Sequence, residues 1–174
     1  PEIDKALKSN CSREDKIALL MLKAEYYMIS DKTDSAQIIL FVADKYNAYP
    51  HKNDSIDVYI RYRRSSIYSK QKKYFEAYKD WTFVNNYLLL HKQYKGLANN
   101  QIVLGNIFLY LKQNKSALKA YNKAKKYALI DKDKKVLEGL YGAYSSYWAF
   151  SNEWDSSIYY LSLSERYAPI GQID

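Results

Sequence analysis

The sequence predicts an all-α protein made of four helical hairpins packed side by side. The first observation is a recurring pattern in which a small residue is followed by a large one four positions later and a small one three positions after that. This spacing places all three residues on one face of an α-helix. The four copies are Ala36-Leu40-Ala43, Ala77-Trp81-Val84, Ala117-Tyr121-Ala124 and Ser157-Leu161-Ser164, at intervals of 41, 40 and 40 residues. The second observation is that no run with a period of two lies between turn dipeptides, so we expect no strands.

A second amphipathic stretch precedes each copy and supplies the first helix of each hairpin. An aromatic residue recurs in these stretches at the same intervals, as Tyr27, Tyr68, Phe108 and Trp148. Short polar breaks, "SDKTD", "SKQKK", "KQNK" and "SNEW", separate the two helices of a pair, whereas "AYPHKND" and "LIDKDKK" indicate wider breaks between pairs. The repeat therefore consists of two helices, and it must be recognised before any other feature of the chain is interpreted.

The ends of several helices can also be predicted. Ser12 with Asp15, and Asp54 with Asp57, are typical of N-terminal caps with an acid in the first turn. The segment "DKALKS" before Ser12 indicates the end of an earlier helix. We predict one repeat domain over 1–174, with repeats at about 14–50, 54–93, 94–131 and 132–169. Because the chain begins with Pro1 rather than a methionine, we expect it to be part of a longer protein.

The third copy shows a resemblance to a known family. Leu104-Gly105 and Phe108 in its first helix, with Ala117, Tyr121 and Ala124 in its second, fall where the tetratricopeptide repeat (TPR) has its characteristic residues. The resemblance extends over about 14–168, with Ser65 and Ser145 in place of Gly105. It implies a right-handed α-solenoid of four TPR-like hairpins, whose first helices line a concave groove and whose second helices form the convex back. The 40-residue period is similar to that of longer variants in bacterial sensor and regulatory proteins.

The resemblance also implies a binding site, since such a groove receives a peptide, a helix or a domain of a partner. Arg63 and Asn106 would orient the partner, because arginine provides a forked cation and asparagine both donates and accepts hydrogen bonds. We do not predict the family's clamp for a C-terminal carboxylate, because Tyr62 and Ser66 occupy positions where that clamp has lysine and asparagine. The alternative is that the groove is only a solvated surface of a scaffold, or that it contacts a neighbouring domain. The groove residues expected from the middle repeats are Tyr59, Tyr62, Arg63, Ser66, Asn99, Ile102 and Asn106.

Basic residues raise the question of nucleic-acid binding, since the formal net charge is +8. The segment 114–133 carries a stripe of lysines, which we interpret as the water-facing side of a second helix. The arginines at 61, 63 and 64 are expected to point in divergent directions and therefore not to form one patch. Binding of nucleic acid through the basic surface remains a third hypothesis, and it predicts affinity that falls steeply with salt.

Nothing in the sequence indicates chemistry. His51 and His91 are the only histidines and Cys11 is the only cysteine, so no metal site or disulfide is predicted. No glycine-rich phosphate loop follows a strand, and no apolar run is long enough for a membrane span. We therefore expect no enzymatic activity, no cofactor and no membrane span within the chain, and the compartment stays open between periplasm and cytoplasm.

The prediction is a non-catalytic module that binds a protein or peptide. The resemblance places it in the sensory or interaction region of a bacterial signalling or transcription-regulatory protein. The alternative function is a structural scaffold or self-assembling repeat that has no free ligand.

Overall fold

The computed structural model describes residues 2–7, 9, 11–48 and 53–168. Within these ranges the chain forms nine α-helices and no strand, which confirms the all-α prediction. The helices are α1 (Glu2–Leu7), α2 (Arg13–Ile29), α3 (Thr33–Ala48), α4 (Asp54–Lys70), α5 (Tyr74–Leu90), α6 (Tyr94–Tyr110), α7 (Asn114–Asp131), α8 (Lys134–Phe150) and α9 (Trp154–Tyr167). The helix predicted before Ser12 is therefore present as α1.

The helices from α4 onward begin every 20 residues, so the 40-residue repeat consists of two units of nearly equal length. The sequence predicts a wide break at "LIDKDKK", but the break is short, because α7 continues to Asp131 and only Lys132 and Asp133 precede α8. Within "AYPHKND", residues 49–52, including His51, lie outside the described residues. Leu129, Ile130 and Asp131 resembled the start of a loop in the sequence, but they form the exposed end of α7.

A residue with left-handed backbone conformation at the end of the helix makes these short connections possible. Positive φ angles between 52° and 59° occur at Asp31, Lys72, Lys92, Lys112, Lys132 and Asn152, none of which is glycine. After most of them, the next amide N–H donates to a carbonyl five residues earlier, as from Lys73 to Tyr68 at 2.8 Å and from Gln113 to Phe108 at 2.8 Å. This is the Schellman arrangement, which closes the last helical turn and reverses the chain within three residues. The carbonyls that accept these bonds are those of the recurring aromatics Tyr27, Tyr68, Phe108 and Trp148 and that of Leu88.

One of the two predicted N-terminal caps is correct. The Ser12 hydroxyl oxygen accepts a hydrogen bond from the Asp15 amide at 3.1 Å, as predicted. The cap of α4, however, is Asn53 rather than Asp54. Asn53 has extended backbone angles, and its side-chain oxygen accepts from the amides of Ser55 and Ile56 at 3.0 and 3.2 Å. Asp54 already lies inside the first turn, where its side chain is past the free amides that a cap must reach.

The chain divides into two compact units, 1–84 and 85–174, and α5 crosses the boundary between them. In unit 1, α2 packs against α1 and α3, and α3 packs against α4. In unit 2, α6 packs along α7, α8 packs along α9, and α8 also contacts α6 and α7. The core of unit 1 comprises Leu20, Ala24, Ala36, Leu40, Ala43, Ile60 and Ile67, and that of unit 2 is centred on Ala117, Tyr121, Ala124, Ala128, Leu140, Tyr144 and Tyr147.

The small-large-small pattern marks buried positions in the first three copies. Their large residues, Leu40, Trp81 and Tyr121, are all 0–1% exposed. In the fourth copy Leu161 is 49% exposed, because no helix follows α9 in the described part of the chain. The repeat therefore predicted the packing face of each second helix correctly. Whether that face is buried depends on the presence of a following helix.

Candidate functional site

The predicted residues of α4 lie on one face of that helix in unit 1. Tyr59 and Arg63 are four residues apart, as are Tyr62 and Ser66, so the four share one helix face, and all four are half-buried. The carboxylate of Glu25, on α2, accepts hydrogen bonds from the Tyr59 hydroxyl and from the Arg63 guanidinium. Arg63 also donates to the Tyr59 hydroxyl oxygen at 2.9 Å. Two of the predicted residues therefore belong to one polar cluster that joins α2 to α4.

The environment of this cluster is partly desolvated. The Arg63 and Glu25 side chains are each 30% exposed, and the guanidinium carbon lies 4.9 Å from the centre of the Tyr59 ring. Burial raises the pKa of the Tyr59 hydroxyl, and its hydrogen bond to the Glu25 carboxylate raises this pKa further. Tyr59 is therefore a neutral donor at physiological pH, and the cluster has fixed donor and acceptor positions.

Tyr62 and Ser66 complete the α4 surface. The Tyr62 ring meets the buried Trp81 ring edge to face, with centres 5.1 Å apart, so packing fixes its orientation. The Ser66 hydroxyl donates to the Tyr62 carbonyl at 3.2 Å, within its own helix. We call the surface of Tyr59, Tyr62, Arg63 and Ser66 with Glu25 the α4 surface.

The predicted residues of α6 are Asn99, Ile102 and Asn106, in unit 2. All three are half-buried, and Ile102 packs against the unit 2 core. The Asn106 side-chain oxygen accepts a hydrogen bond from the Tyr121 hydroxyl at 2.7 Å. One of its acceptor positions is therefore already used inside the α6–α7 hairpin, and a partner would be recognised mainly through its amide donors.

The expectation that the three arginines diverge is wrong for two of them. Arg61 and Arg64 both bind the buried carboxylate of Asp80: Arg64 through two hydrogen bonds of 2.7 Å, and Arg61 at 3.2 Å. Residues three apart share a helix face, and the hydrogen bonds to Asp80 raise the pKa of Arg64. Arg63 points elsewhere, towards Glu25. Since carboxylates within unit 1 neutralise all three cations, this segment is poorly suited to phosphate binding.

In the described ranges, no three or more histidine, cysteine, aspartate or glutamate side chains come together as metal ligands would. The His91 ring lies 4.2 Å from the Tyr87 ring and is exposed. No described helix has the length and apolar character needed to cross a membrane.

The sequence reasoning missed the role of Glu25. It is a carboxylate at a first-helix position where the second and third copies have Ser66 and Asn106, and this difference was the available signal. What the sequence does not show is that Tyr59 and Arg63 would both turn towards it, because that depends on how α2 lies beside α4.

Comparisons with known proteins support the fold and nothing more specific. No family model matches the chain, and no curated protein matches it significantly. The crystal structure of BtubC (BKLC) from P. vanneervenii is similar, with a TM-score of 0.74 and 12% sequence identity over 99% of this chain and 74% of that chain. At this level of identity the likeness shows the fold alone, since one fold carries many functions.

Proposed function

We propose that the chain is a non-catalytic module that binds a protein or peptide segment, with the α4 surface as its main recognition element. The observation that carries this proposal is the Glu25–Tyr59–Arg63 cluster, which is half-exposed and held in place by its own hydrogen bonds. Donors and acceptors that are already fixed lose little conformational entropy when a partner binds, so they favour recognition.

The chemistry of the α4 surface suits an extended or helical peptide. The Tyr62 ring offers apolar area beside a charged group, and tyrosine and arginine are enriched among the residues that dominate interface energies. The Arg63 Nε atom is buried without a hydrogen-bond partner among the described residues. A small rotation of the side chain would let this donor reach a carbonyl of the partner, and the unsatisfied group would then be paired. Asn99, Ile102 and Asn106 of α6 are proposed to contribute a second set of contacts.

The wider setting rests on resemblance. We propose that the array is of the TPR type and serves the sensory or interaction region of a bacterial signalling or regulatory protein. The motif of the third copy and its 40-residue period support this assignment.

A peptide-display selection against the chain would test the proposal. The best selected peptide is then titrated against the parent chain, the variant Arg63→Ala/Asn106→Ala and the control Arg166→Ala/Asn114→Ala. The control residues are exposed and belong neither to the α4 surface nor to the proposed contacts of α6. We expect affinity to fall about tenfold or more in the first variant, as for a central interface residue, and to stay within about twofold in the control. Helicity by circular dichroism checks that both variants fold. Equal affinity in the two variants, or no peptide selected above background, would rule out the proposed surface.

A structural scaffold is the second candidate, and the exposed face of α9 favours it. Trp154, Ile158, Tyr159 and Leu161 are 49–64% exposed, although the equivalents of Leu161 in earlier copies are fully buried. Sedimentation equilibrium would reveal assembly as a mass that rises with concentration, and Leu161→Glu should abolish the rise. A constant monomer mass for the parent chain would rule out self-assembly through this face.

A further inference from the structure

The lysine stripe of α7 is more than an exposed face, because it forms a groove. Leu118 and Asn122, with the stems of Lys115, Lys119, Lys123 and Lys126, line an open cavity of about 410 Å³. We call this the α7 groove. All of its lining residues belong to α7, in unit 2, and none of them belongs to the α4 surface on which the proposed function rests.

The four lysines of the groove are free cations, unlike the three lysines that form ion pairs elsewhere among the described residues. All four are exposed, and within the described residues none of them contacts a carboxylate. Lys23, Lys70 and Lys95, by comparison, pair with Asp4, Asp31 and Asp133. Positive charge is therefore concentrated on one helix face without an internal counterion, and such a surface attracts an anionic ligand.

The floor of the groove supplies both apolar area and a fixed polar group. Leu118 is half-buried and packs against the unit 2 core, and the alkyl stems of the lysines extend the apolar area around it. The Asn122 side-chain oxygen accepts a hydrogen bond from the Tyr144 hydroxyl at 2.7 Å. This bond holds the carbonyl of the amide towards the core, so the two amide N–H groups are free to donate to a ligand.

We propose that the α7 groove binds an acidic peptide segment, in which an apolar residue contacts Leu118 while flanking aspartate or glutamate residues pair with the lysines. The Asn122 amide donates to a carboxylate or backbone carbonyl of the segment. Neither an aromatic nor an arginine side chain lines the groove. It therefore lacks the stacking surfaces typical of single-stranded nucleic-acid sites and the forked donors that bind phosphate in pairs.

The probe is a fluorescein-labelled peptide rich in glutamate with one central leucine, titrated by fluorescence anisotropy at low salt. The test variant is Lys119→Glu/Lys123→Glu, and the matched control is Lys32→Glu/Lys73→Glu, which changes the net charge equally at exposed lysines elsewhere. We expect affinity to fall about tenfold in the test variant, given the strength of exposed ion pairs and the added repulsion between like charges. In the control, affinity should stay within about twofold of that of the parent chain. Replacing the leucine of the probe by serine should weaken binding to the parent chain.

Three results would overturn the proposal. The first is an equal loss in test and control variants, which would mean that only net charge matters. The second is unchanged affinity in a test variant whose helicity is intact by circular dichroism. The third is displacement of the peptide by oligothymidylate, or by phosphatidylserine vesicles, at a lower concentration of charge than unlabelled peptide requires, which would assign the groove to nucleic acid or to membrane lipid.

Discussion

Replacing Gly105 by alanine tests how closely α6 approaches α7. A Cβ atom at this position would lie 2.2 Å from Cε1, 2.5 Å from Cδ1 and 2.9 Å from Cζ of Tyr121. Ordinary contact begins at 3.4 Å, so the ring would have to move by about 1.2 Å. It has little freedom to do so, because Tyr121 is 0% exposed, donates its hydroxyl to Asn106 and packs against the rings of Tyr144 and Tyr147.

The expected cost follows from these contacts. Overpacking a rigid core costs about 1–3 kcal/mol, and loss of the Tyr121 hydrogen bond about 1 kcal/mol more. Alanine regains about 0.5–1 kcal/mol over glycine as a helix former. We therefore expect Gly105→Ala to lower the free energy of unfolding by about 1–3.5 kcal/mol.

Gly139→Ala is the matched control, because no atom lies within 4 Å of a Cβ built there. This variant should gain about 0.5–1 kcal/mol from helix propensity alone. Urea unfolding followed by circular dichroism measures both changes. In a Tyr121→Val background the obstructing ring is gone, so Gly105→Ala should no longer be destabilising. If Gly105→Ala proves as stable as Gly139→Ala in the parent chain, the reasoning about close approach is refuted.

Three further predictions concern burial, charge and capping. Burial raises the pKa of Tyr144 from 10.0 to about 12, so the free energy of unfolding should not depend on this group at neutral pH and should fall by up to about 3 kcal/mol as pH rises from 10 to 12, where only the unfolded chain loses the proton. The urea midpoint should therefore fall less steeply with pH in Tyr144→Phe than in the parent chain, and an equally steep fall would contradict the assignment. Asp80→Asn removes the carboxylate shared by two arginines and should lower the free energy of unfolding, measured by heat or urea, by about 2–3 kcal/mol. Asp31→Asn removes one member of an exposed ion pair and should cost less than about 0.5 kcal/mol, so similar losses in the two variants would argue against burial as the cause. Asn53→Ala should cost about 1 kcal/mol and Asp54→Ala about half that or less, and the reverse order would restore Asp54 as the cap of α4.

The sequence by itself determined the class and the repeat of this protein. Helical periodicity locates the apolar face of each helix, and recurrence at 40 residues identifies which helices are equivalent. Leu40, Trp81 and Tyr121 were predicted to pack and are buried for this reason. The lysines of α7 were likewise predicted to face water, because they lie opposite the alanine face of the same helix.

The tertiary structure decided which polar groups meet. Glu25 is 34 residues from Tyr59 and 38 from Arg63, and periodicity within one helix says nothing about side chains on another. The convergence of Arg61 and Arg64 depends in the same way on Asp80, which the turn after α4 brings alongside. A local pattern fixes the face on which a side chain lies, but its partner is chosen by how neighbouring helices pack, and that is a property of the folded chain.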